Sequence, residues 1–347
     1  MAGATPKLIK ELREKSGAGM LDCKKALNEC DGNIDEAVKY LREAGLSKAA
    51  KKSGNVAAEG LITIIVNDDN TKATMTEVNS QTDFVAKNDQ FIALTKQIST
   101  HVQENNLNDA EALAGSSIDG QEFSTFLNEK IAVIGENLVA RKVVNVEGSV
   151  VNGYVHMGKV GVILSAKCDE SAKEKTVDLL KKVAMHAASM KPTVISYKDL
   201  DAEFIESENK AIIADIEKEN EELVRLGKPL KNIPQFVSKQ QLTDEAIEEA
   251  KAKMKEELIA QGKPEKIIDN IVKGKINRWI EDNSQLDKTH ALLSQTYVMD
   301  DSMTVEEAIK AVDASIEIVE YVRFELGEGI EKKEEDFAAE VAAQMGK

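Results

Sequence analysis

Residues 59–88 have the sequence EGLITIIVNDDNTKATMTEVNSQTDFVAKN, and this stretch decides how the chain folds. Residues 61–66 are a short run rich in β-branched side chains, which is typical of a strand. The turn-forming residues 67–70 follow, and a second such run occupies 74–78. Two strands joined by a short polar turn predict a β-hairpin.

The end of this stretch predicts a short helical turn directly after the second strand. Thr82 or Asp83 can be the N-cap of that turn, because each side chain carries an oxygen that accepts from backbone N–H groups. Phe84 follows at the junction between strand and helix. Its ring either reaches the surface or packs beneath the capped turn, and the residues alone leave both placements open.

Further strands and helices follow the hairpin. The pattern predicts helices at 89–104 and 121–138, and strands at 142–146, 150–155 and 160–166. Another helix is expected to end at Pro192. Two α/β units with similar content predict a two-part α/β core with antiparallel sheets, within the α+β class.

The first 46 residues predict a separate head of three short helices. The glycine-rich residues 16–19 interrupt the first helix, Asn33 can cap the third, and Gly45 is expected to end it. Residues 47–58 are rich in Lys, Ala and Ser and predict a linker. Because such a small module buries little apolar surface, it needs a neighbour or a partner.

Basic and apolar side chains surround the glycine-rich loop of the head. Arg13, Lys24 and Lys25 flank the loop, and Met20 and Leu21 begin the next helix. Since Met is an adaptable contact residue, one interpretation is a surface for a partner. The other interpretation is that Met20 and Leu21 pack inside the head, and both stay open.

Residues 199–282 predict a helical arm with an internal repeat. Residues 221–237 and 256–272 share 9 identities in 17 positions, including Gly-Lys-Pro in each copy. Because Gly can end one helix and Pro can begin the next, the repeat predicts a helix, a turn and a helix twice over. A short coiled-coil-like seam is formed by Ile205, Ile212, Ile216, Leu223 and Leu226. The alternative is a chance similarity between two acidic helix ends.

The composition limits the classes of function. The 347 residues include 45 Lys and Arg and 61 Asp and Glu, a net charge of −16, and phosphate backbones repel such a surface. Aromatic residues, at 4%, are too few for stacking platforms that bind single strands. We find no apolar run of the roughly 18 residues of a membrane span, no signal-peptide core, and an odd number of cysteines. We therefore expect a cytoplasmic protein that binds neither nucleic acid nor a membrane.

Motifs for catalysis or cofactor binding are incomplete. Residues 153–160, GYVHMGKV, resemble a phosphate loop, but Val160 replaces the Ser or Thr that binds magnesium, and a strand follows instead of a helix. Cys23 and Cys30 share a helix face without a nearby His, and the 4 His are dispersed. We therefore predict no cofactor, no metal and no catalytic site.

Several long motifs resemble the signatures of one family. Residues 12–27 (LREKSGAGMLDCKKAL) and 77–87 (EVNSQTDFVAK) resemble two signatures of the bacterial elongation factor Ts family. Residues 185–192, 323–332 and 336–341 resemble later parts of the same family. The resemblance covers essentially the whole chain, with the motifs in the right order.

The resemblance implies a division of the chain. It places a ubiquitin-associated-like head at 1–46, a linker at 47–58, core subdomains at 59–146 and at 147–198 with 283–326, an inserted arm at 199–282, and a C-terminal module at 327–347. The arm is longer than the single coiled-coil hairpin of the family. The last module is expected to be a helix with Phe337, Val341 and Met345 on one side.

The resemblance also implies a function, which is guanine-nucleotide exchange on elongation factor Tu without covalent chemistry. The implied partner-binding residues are Arg13, Met20, Leu21, Lys24, Thr82, Asp83, Phe84, Val85, Ile134, Gly135 and His156. Residues 82–85 would disturb magnesium and GDP in the partner. A homodimer and a 2:2 complex both stay open. The alternatives are a helical scaffold, favoured by the acidic arm, and a small-molecule enzyme, favoured only by the incomplete phosphate loop.

Overall fold

The structure is a computed structural model that describes residues 4–331. These residues divide into two compact units, 4–163 with 322–331 and 164–321. The combination of helices with antiparallel strands confirms the predicted α+β class. The predicted C-terminal helix with Phe337, Val341 and Met345 lies outside the described residues.

Three helices form the head, as predicted. They are α1 (Pro6–Ser16), α2 (Met20–Glu29) and α3 (Ile34–Lys52). Side-chain oxygens of Thr5 and Asn33 cap α1 and α3. The inward faces bury a small core of Leu12, Cys23, Ala26, Leu27 and Ala37. The likeness to a ubiquitin-associated domain stays a prediction.

The third helix continues past Gly45, so its predicted end is wrong. A Cβ on Gly45 would lie 2.9 Å from the Cβ of Ala132. Gly45 therefore allows two helices to approach closely, and it does not end α3. Residues 46–52 are mostly Ala, Lys and Leu, which favour helix. The predicted linker at 47–58 is consequently helical as far as Lys52.

The rest of the first unit alternates strands and helices. In chain order these are β1 (Glu59–Val66), β2 (Lys72–Ser80), α4 (Asp83–Ala86), α5 (Asp89–Glu104), α6 (Ala110–Ala114), β3 (Ser117–Ile118), β4 (Gln121–Glu122), α7 (Phe123–Ile134), β5 (Val139–Glu147), β6 (Val150–His156) and β7 (Val160–Lys167). The predicted hairpin is confirmed, since β1 and β2 pair antiparallel from Glu59 with Ser80 to Val66 with Ala73.

The strand β2 is the centre of the main sheet, whose order is β1-β2-β5. Every residue of β2 after Lys72 is buried, because both faces of the sheet are covered. Helices α5 and α7 cover one face with side chains that include Phe91, Ile98 and Phe126. Val151 and Ile163 pack against the other face.

The second unit is mainly helical. In chain order it contains α8 (Lys173–Met190), α9 (Ala202–Arg225), α10 (Asp244–Ala260), α11 (Glu265–Asp282), α12 (Gln285–His290), α13 (Val305–Val312) and β8 (Glu317–Glu325). The strands β6, β7 and β8 form a sheet in that order, and the division between the units falls within β7 and β8. Helix α8 ends before Pro192, as predicted.

The two copies of the arm repeat fold differently. In the second copy, Gly262 has a φ of 72° and Pro264 caps α11, as predicted. In the first copy, Gly227 follows the end of α9 with a φ of 64°, but no helix begins at Pro229. Because Pro234 follows five residues later, a helix here would lose an N–H group and clash with its preceding turn. The predicted helix after the first copy is therefore wrong.

The predicted seam of α9 is mostly unburied. Ile205 is buried, whereas Leu226 is exposed and the three positions between them are only partly buried. The arm instead has a small core where α10 packs on α11, formed by Leu258, Ile268 and Val272. A coiled coil along α9 stays a prediction.

Candidate partner-binding site

The 82–85 turn directly follows β2 and begins α4. Thr82 is the N-cap, because its backbone is extended and its Oγ1 accepts a hydrogen bond from Val85 N at 3.4 Å. The backbone N of Lys87 closes the turn on the carbonyl of Phe84 at 3.2 Å. Of the two capping residues that the sequence predicted, Thr82 fills the role and Asp83 does not.

The ring of Phe84 lies in solvent, with 79% of the residue exposed. Its neighbours hold the turn from beneath, because Ala86 is buried and Val85 packs partly against the core under α5 and α7. Most large apolar side chains avoid such exposure, which sets Phe84 apart from the other aromatic residues of this unit. The alternative of a buried ring is therefore wrong.

Asp83 pairs with the lysine one helical turn later. Lys87 Nζ lies 2.7 Å from Asp83 Oδ2. This hydrogen bond, together with the positive charges of Lys87 and Lys159, lowers the pKa of Asp83 below its ordinary value. The carboxylate next to Phe84 in the chain is thus ionised and half exposed.

A carboxylate from a distant part of the sequence holds the 82–85 turn. Glu136 Oε2 accepts hydrogen bonds from the backbone N of Gln81 at 3.1 Å and of Thr82 at 3.0 Å. Glu136 Oε1 accepts from Thr82 Oγ1 at 2.6 Å. Sequence reasoning missed Glu136, although it follows directly after the predicted contact residues Ile134 and Gly135.

The end of α7 brings Glu136 to this position. Ile134 is the last residue of the helix and is partly buried against the core. Gly135 is exposed, has a φ of 86° and donates its N–H to the carbonyl of Ile131 at 2.8 Å. A left-handed residue at this point favours glycine, and it turns the chain so that Glu136 faces the 82–85 turn.

Phe84 and Met157 both line an open depression on the surface. Met157 is 82% exposed and has a φ of 50° in the turn between β6 and β7. This turn is attached to β1, because the carbonyl of Gly158 accepts from Ile62 N at 2.8 Å. Sequence reasoning missed Met157; an apolar residue before the glycine of a tight turn was the available signal.

His156, the neighbouring predicted contact residue, ends β6 and is exposed. Its Nδ1 lies 3.0 Å from the hydroxyl of Tyr154, and the two rings are tilted at 42°. The side chain therefore belongs to the surface of the first unit and not to its core.

The apolar residues of the head that were left open also face solvent. Met20 is 61% exposed and Leu21 is 83% exposed. On the same helix, Cys23, Ala26 and Leu27 fill the small core, so the core interpretation is wrong for Met20 and Leu21. The predicted contact residues Arg13 and Lys24 are exposed as well.

Helix α7 also supports the head. Arg42 Nε lies 2.7 Å from Glu129 Oε1, and Gly45 lies against Ala132. The structure therefore brings the 82–85 turn together with the end of α7, while the same helix contacts the head.

Comparison with known proteins assigns the family. The family described as Elongation factor TS matches residues 81–233 and 231–328. The chain is 68% identical to an elongation factor Ts of Aliarcobacter butzleri (strain RM4018), with 100% of both chains covered. It is 55% identical to that of Sulfurovum sp. (strain NBC37-1), with 99% of this chain and 100% of the relative covered. It is also 52% identical to that of Campylobacter hominis, with 99% of each covered.

The chain belongs to the elongation factor Ts family. The family resemblance inferred from the motifs is thereby confirmed. In this chain, the segment 153–160 forms the end of β6, a turn and the start of β7, so its backbone has no helix N-terminus for a phosphate. Within residues 4–331, apart from Glu265, no three His, Cys, Asp or Glu side chains are grouped as a metal site needs. No helix of the described part combines the length and hydropathy of a membrane span.

The buried histidine of the second unit has a structural role. His186 is fully buried, and its Nδ1 accepts a hydrogen bond from Val298 N at 3.2 Å. Its Nε2 therefore carries the proton and donates to Gln295 Oε1 at 3.0 Å. Burial lowers the pKa of His186 below its ordinary value of 6.5. Both ring nitrogens are thus engaged inside the second unit.

Proposed function

We propose that this chain binds elongation factor Tu in its GDP-bound form and promotes the release of GDP. Membership of the elongation factor Ts family supports the choice of partner. The observation that carries the mechanism is the exposed ring of Phe84 on a capped turn. When a partner surface buries an apolar ring that was exposed to water, the free energy of the complex is lowered.

The 82–85 turn acts as a wedge in this proposal. Phe84 enters the nucleotide-binding domain of elongation factor Tu, where burial of its ring contributes about 1.5–3 kcal/mol. This free energy offsets the disturbance of the groups that hold magnesium in the partner. GDP then dissociates faster, because its phosphates lose the neutralising ion. The action is a displacement, so no covalent bond changes and the chain needs no cofactor of its own.

The other contacts hold the partner while the wedge acts. They are Arg13, Met20, Leu21 and Lys24 in the head, with Ile134, Gly135 and His156 in the core. The exposure of Met20 and Leu21 supports the contact of the head with the nucleotide-binding domain. The C-terminal segment beyond residue 331 contributes to the same domain in this proposal.

The coupling between this chain and the nucleotide is reciprocal. If the chain weakens GDP binding by some ratio, GDP weakens binding of the chain by the same ratio. Exchange therefore requires a ternary complex that dissociates readily. The small core of the head suits such a reversible contact, since α1, α2 and α3 together bury few large side chains.

A helical scaffold is the second candidate function, and the arm favours it. Residues 199–282 carry 20 acidic and 14 basic residues, and α9 and α10 expose Val224 and Ile259 near their C-terminal ends. A scaffold would keep its activity after loss of the 82–85 turn. Assembly as a homodimer or as a 2:2 complex with elongation factor Tu stays a prediction.

Stopped-flow release of a fluorescent GDP from elongation factor Tu tests the proposed exchange. We expect Phe84→Ala to keep the wild-type melting temperature and to slow release at least about tenfold, which corresponds to about 1.4 kcal/mol. Ile259→Ala is the matched control, because it removes an exposed apolar side chain outside the proposed contacts with elongation factor Tu. Release at the wild-type rate with Phe84→Ala contradicts the wedge. Tight binding of GDP by this chain alone would instead favour a small-molecule enzyme.

A further inference from the structure

The position of Phe84 is fixed by its backbone and not by its own packing. The ring is 79% exposed, so few side-chain contacts limit where it points. Its location therefore depends on the conformation of the short helix α4, which has only four residues. Because an isolated helix of this length is unstable in water, the 82–85 turn needs support from outside itself.

Glu136 supplies that support with both carboxylate oxygens. Oε2 accepts the backbone N–H groups of Gln81 and Thr82 at 3.1 and 3.0 Å, and Oε1 accepts the Thr82 hydroxyl at 2.6 Å. These three bonds have an ionised acceptor, and such hydrogen bonds are shorter and stronger than neutral ones.

The bond to the hydroxyl also orients the cap. Thr82 Oγ1 has one proton, and it donates that proton to Glu136. Its lone pairs are then left to accept from Val85 N at 3.4 Å. The cap of α4 thus depends on the carboxylate of Glu136, which lies 54 residues away in the sequence.

A second pair of residues braces the same junction. Gln81 Oε1 accepts from the backbone N of Asn137 at 2.8 Å. Asn137 Nδ2 in turn donates to the carbonyl of Asn55 at 2.8 Å. The segment after α7 therefore holds the chain both at the start of the 82–85 turn and just before β1.

We propose that Glu136 is a positioning residue for nucleotide exchange, which holds the 82–85 turn in the one conformation that presents Phe84 to the partner. This inference rests on the proposed function. A wedge that is already ordered loses less conformational entropy on binding than a mobile one. A small misplacement of a working group can also slow a reaction by about 10²-fold. Glu136 itself touches neither nucleotide nor magnesium in this role.

Two substitutions of Glu136 distinguish the effect of its hydrogen bonds from the effect of its negative charge. Glu136→Ala removes all three hydrogen bonds. Glu136→Gln keeps the length of the side chain and one acceptor oxygen, which can still take the two backbone N–H groups while its amide donates to Thr82 Oγ1. We therefore expect release of fluorescent GDP to slow at least about tenfold with Glu136→Ala, and less with Glu136→Gln.

The double variant supplies the decisive readout. If Glu136 acts through Phe84, the variant with both Phe84→Ala and Glu136→Ala releases GDP within about twofold of Phe84→Ala alone. If the two losses multiply instead, the positioning role is overturned. Glu147→Ala is the matched control, since it removes a glutamate at the opposite end of β5. Its release rate should equal that of the wild type.

A structural readout keeps this test apart from the test of exchange. Hydrogen exchange at the backbone amides of Thr82 and Val85 should become at least about tenfold faster with Glu136→Ala, at an unchanged melting temperature. Unchanged protection of these amides would overturn the inference, whatever the exchange activity. If the wild type itself fails to accelerate GDP release, the proposed function fails, and no positioning role in exchange remains.

Discussion

Oε1 of Glu77 lies 3.1 Å from Nη1 of Arg141, in the middle of the main sheet. The carboxylate of Glu77 is fully buried, and the same oxygen accepts the backbone N–H of Gly327 at 2.9 Å. Lys142 Nζ adds an ion pair with Oε2 at 3.8 Å. A buried charge is tolerated only when it is paired in this way. The pair therefore attaches residues 327 and 328 to β2 and β5.

Removal of this carboxylate should destabilise the first unit. We expect Glu77→Ala to lower the free energy of unfolding by about 2–4 kcal/mol, because Arg141 stays largely buried without its counter-charge. Urea denaturation at pH 7 measures this loss. The control is Glu328→Ala, since Glu328 pairs with Lys142 on the surface and should contribute less than about 1 kcal/mol. Equal losses for the two variants would contradict the importance of the buried pair.

Asp83 should matter for exchange and not for folding. Since Thr82 caps α4, we expect Asp83→Ala to keep the melting temperature and to slow the release of GDP from elongation factor Tu. Lys87→Ala breaks the same ion pair but leaves the carboxylate in place. If the two variants slow release equally, the ion pair and not the carboxylate is responsible. A lower melting temperature with normal release would instead indicate a capping role for Asp83.

Met157 should strengthen binding at a small cost in stability. A left-handed backbone suits glycine better than methionine, by about 1 kcal/mol. We therefore expect Met157→Gly to keep or raise the melting temperature, since φ is 50° at this position. The same change removes an exposed apolar side chain beside Phe84, so the affinity for elongation factor Tu should fall up to about tenfold. Titration of a fluorescently labelled partner measures this, and an unchanged affinity would exclude Met157 from the contact surface.

The second unit should lose stability in mild acid. Burial lowers the pKa of His186 in the folded state, so the unfolded chain takes up a proton that the folded chain does not. The stabilisation is therefore complete above the ordinary pKa of 6.5 and is lost as the pH falls towards the lowered folded value. Urea unfolding midpoints at pH 7.5, 6.5 and 5.5 measure the slope of stability against pH. We expect His186→Gln to make this slope smaller. A slope that stays the same with His186→Gln would contradict this assignment.

The elements that the sequence predicted well depend on local patterns. The β-branched runs at 61–66 and 74–78 and the turn residues between them specify the β1–β2 hairpin, and the apolar spacing of 89–104 specifies α5 with the same bounds. Thr82 was identified as one of two capping candidates, because capping is a local interaction. The order of three helices in the head was predictable for the same reason.

What the sequence left open or missed depends on distant neighbours. The effect of Gly45 is decided by Ala132, and the pairing of Glu136 with Thr82 spans 54 residues. Nothing in a local window distinguishes a glycine that ends a helix from one that allows close packing. The exposure of Phe84, Met20 and Leu21 likewise follows from which faces the cores use. The first Gly-Lys-Pro is different, since Pro234 was visible in the sequence and its effect on helix was predictable.

The hydrogen bond from Gly327 to Glu77 can form only late in the synthesis of the chain. The two residues are 250 positions apart, and a ribosome adds about 5–20 residues per second. The backbone amide of Gly327 is therefore made roughly 12–50 s after Glu77. During that interval, the growing chain holds an ionisable group whose final partner has not yet been made. A nascent chain that is released before residue 327 thus carries an incomplete first unit, even though most of its strands have already been translated.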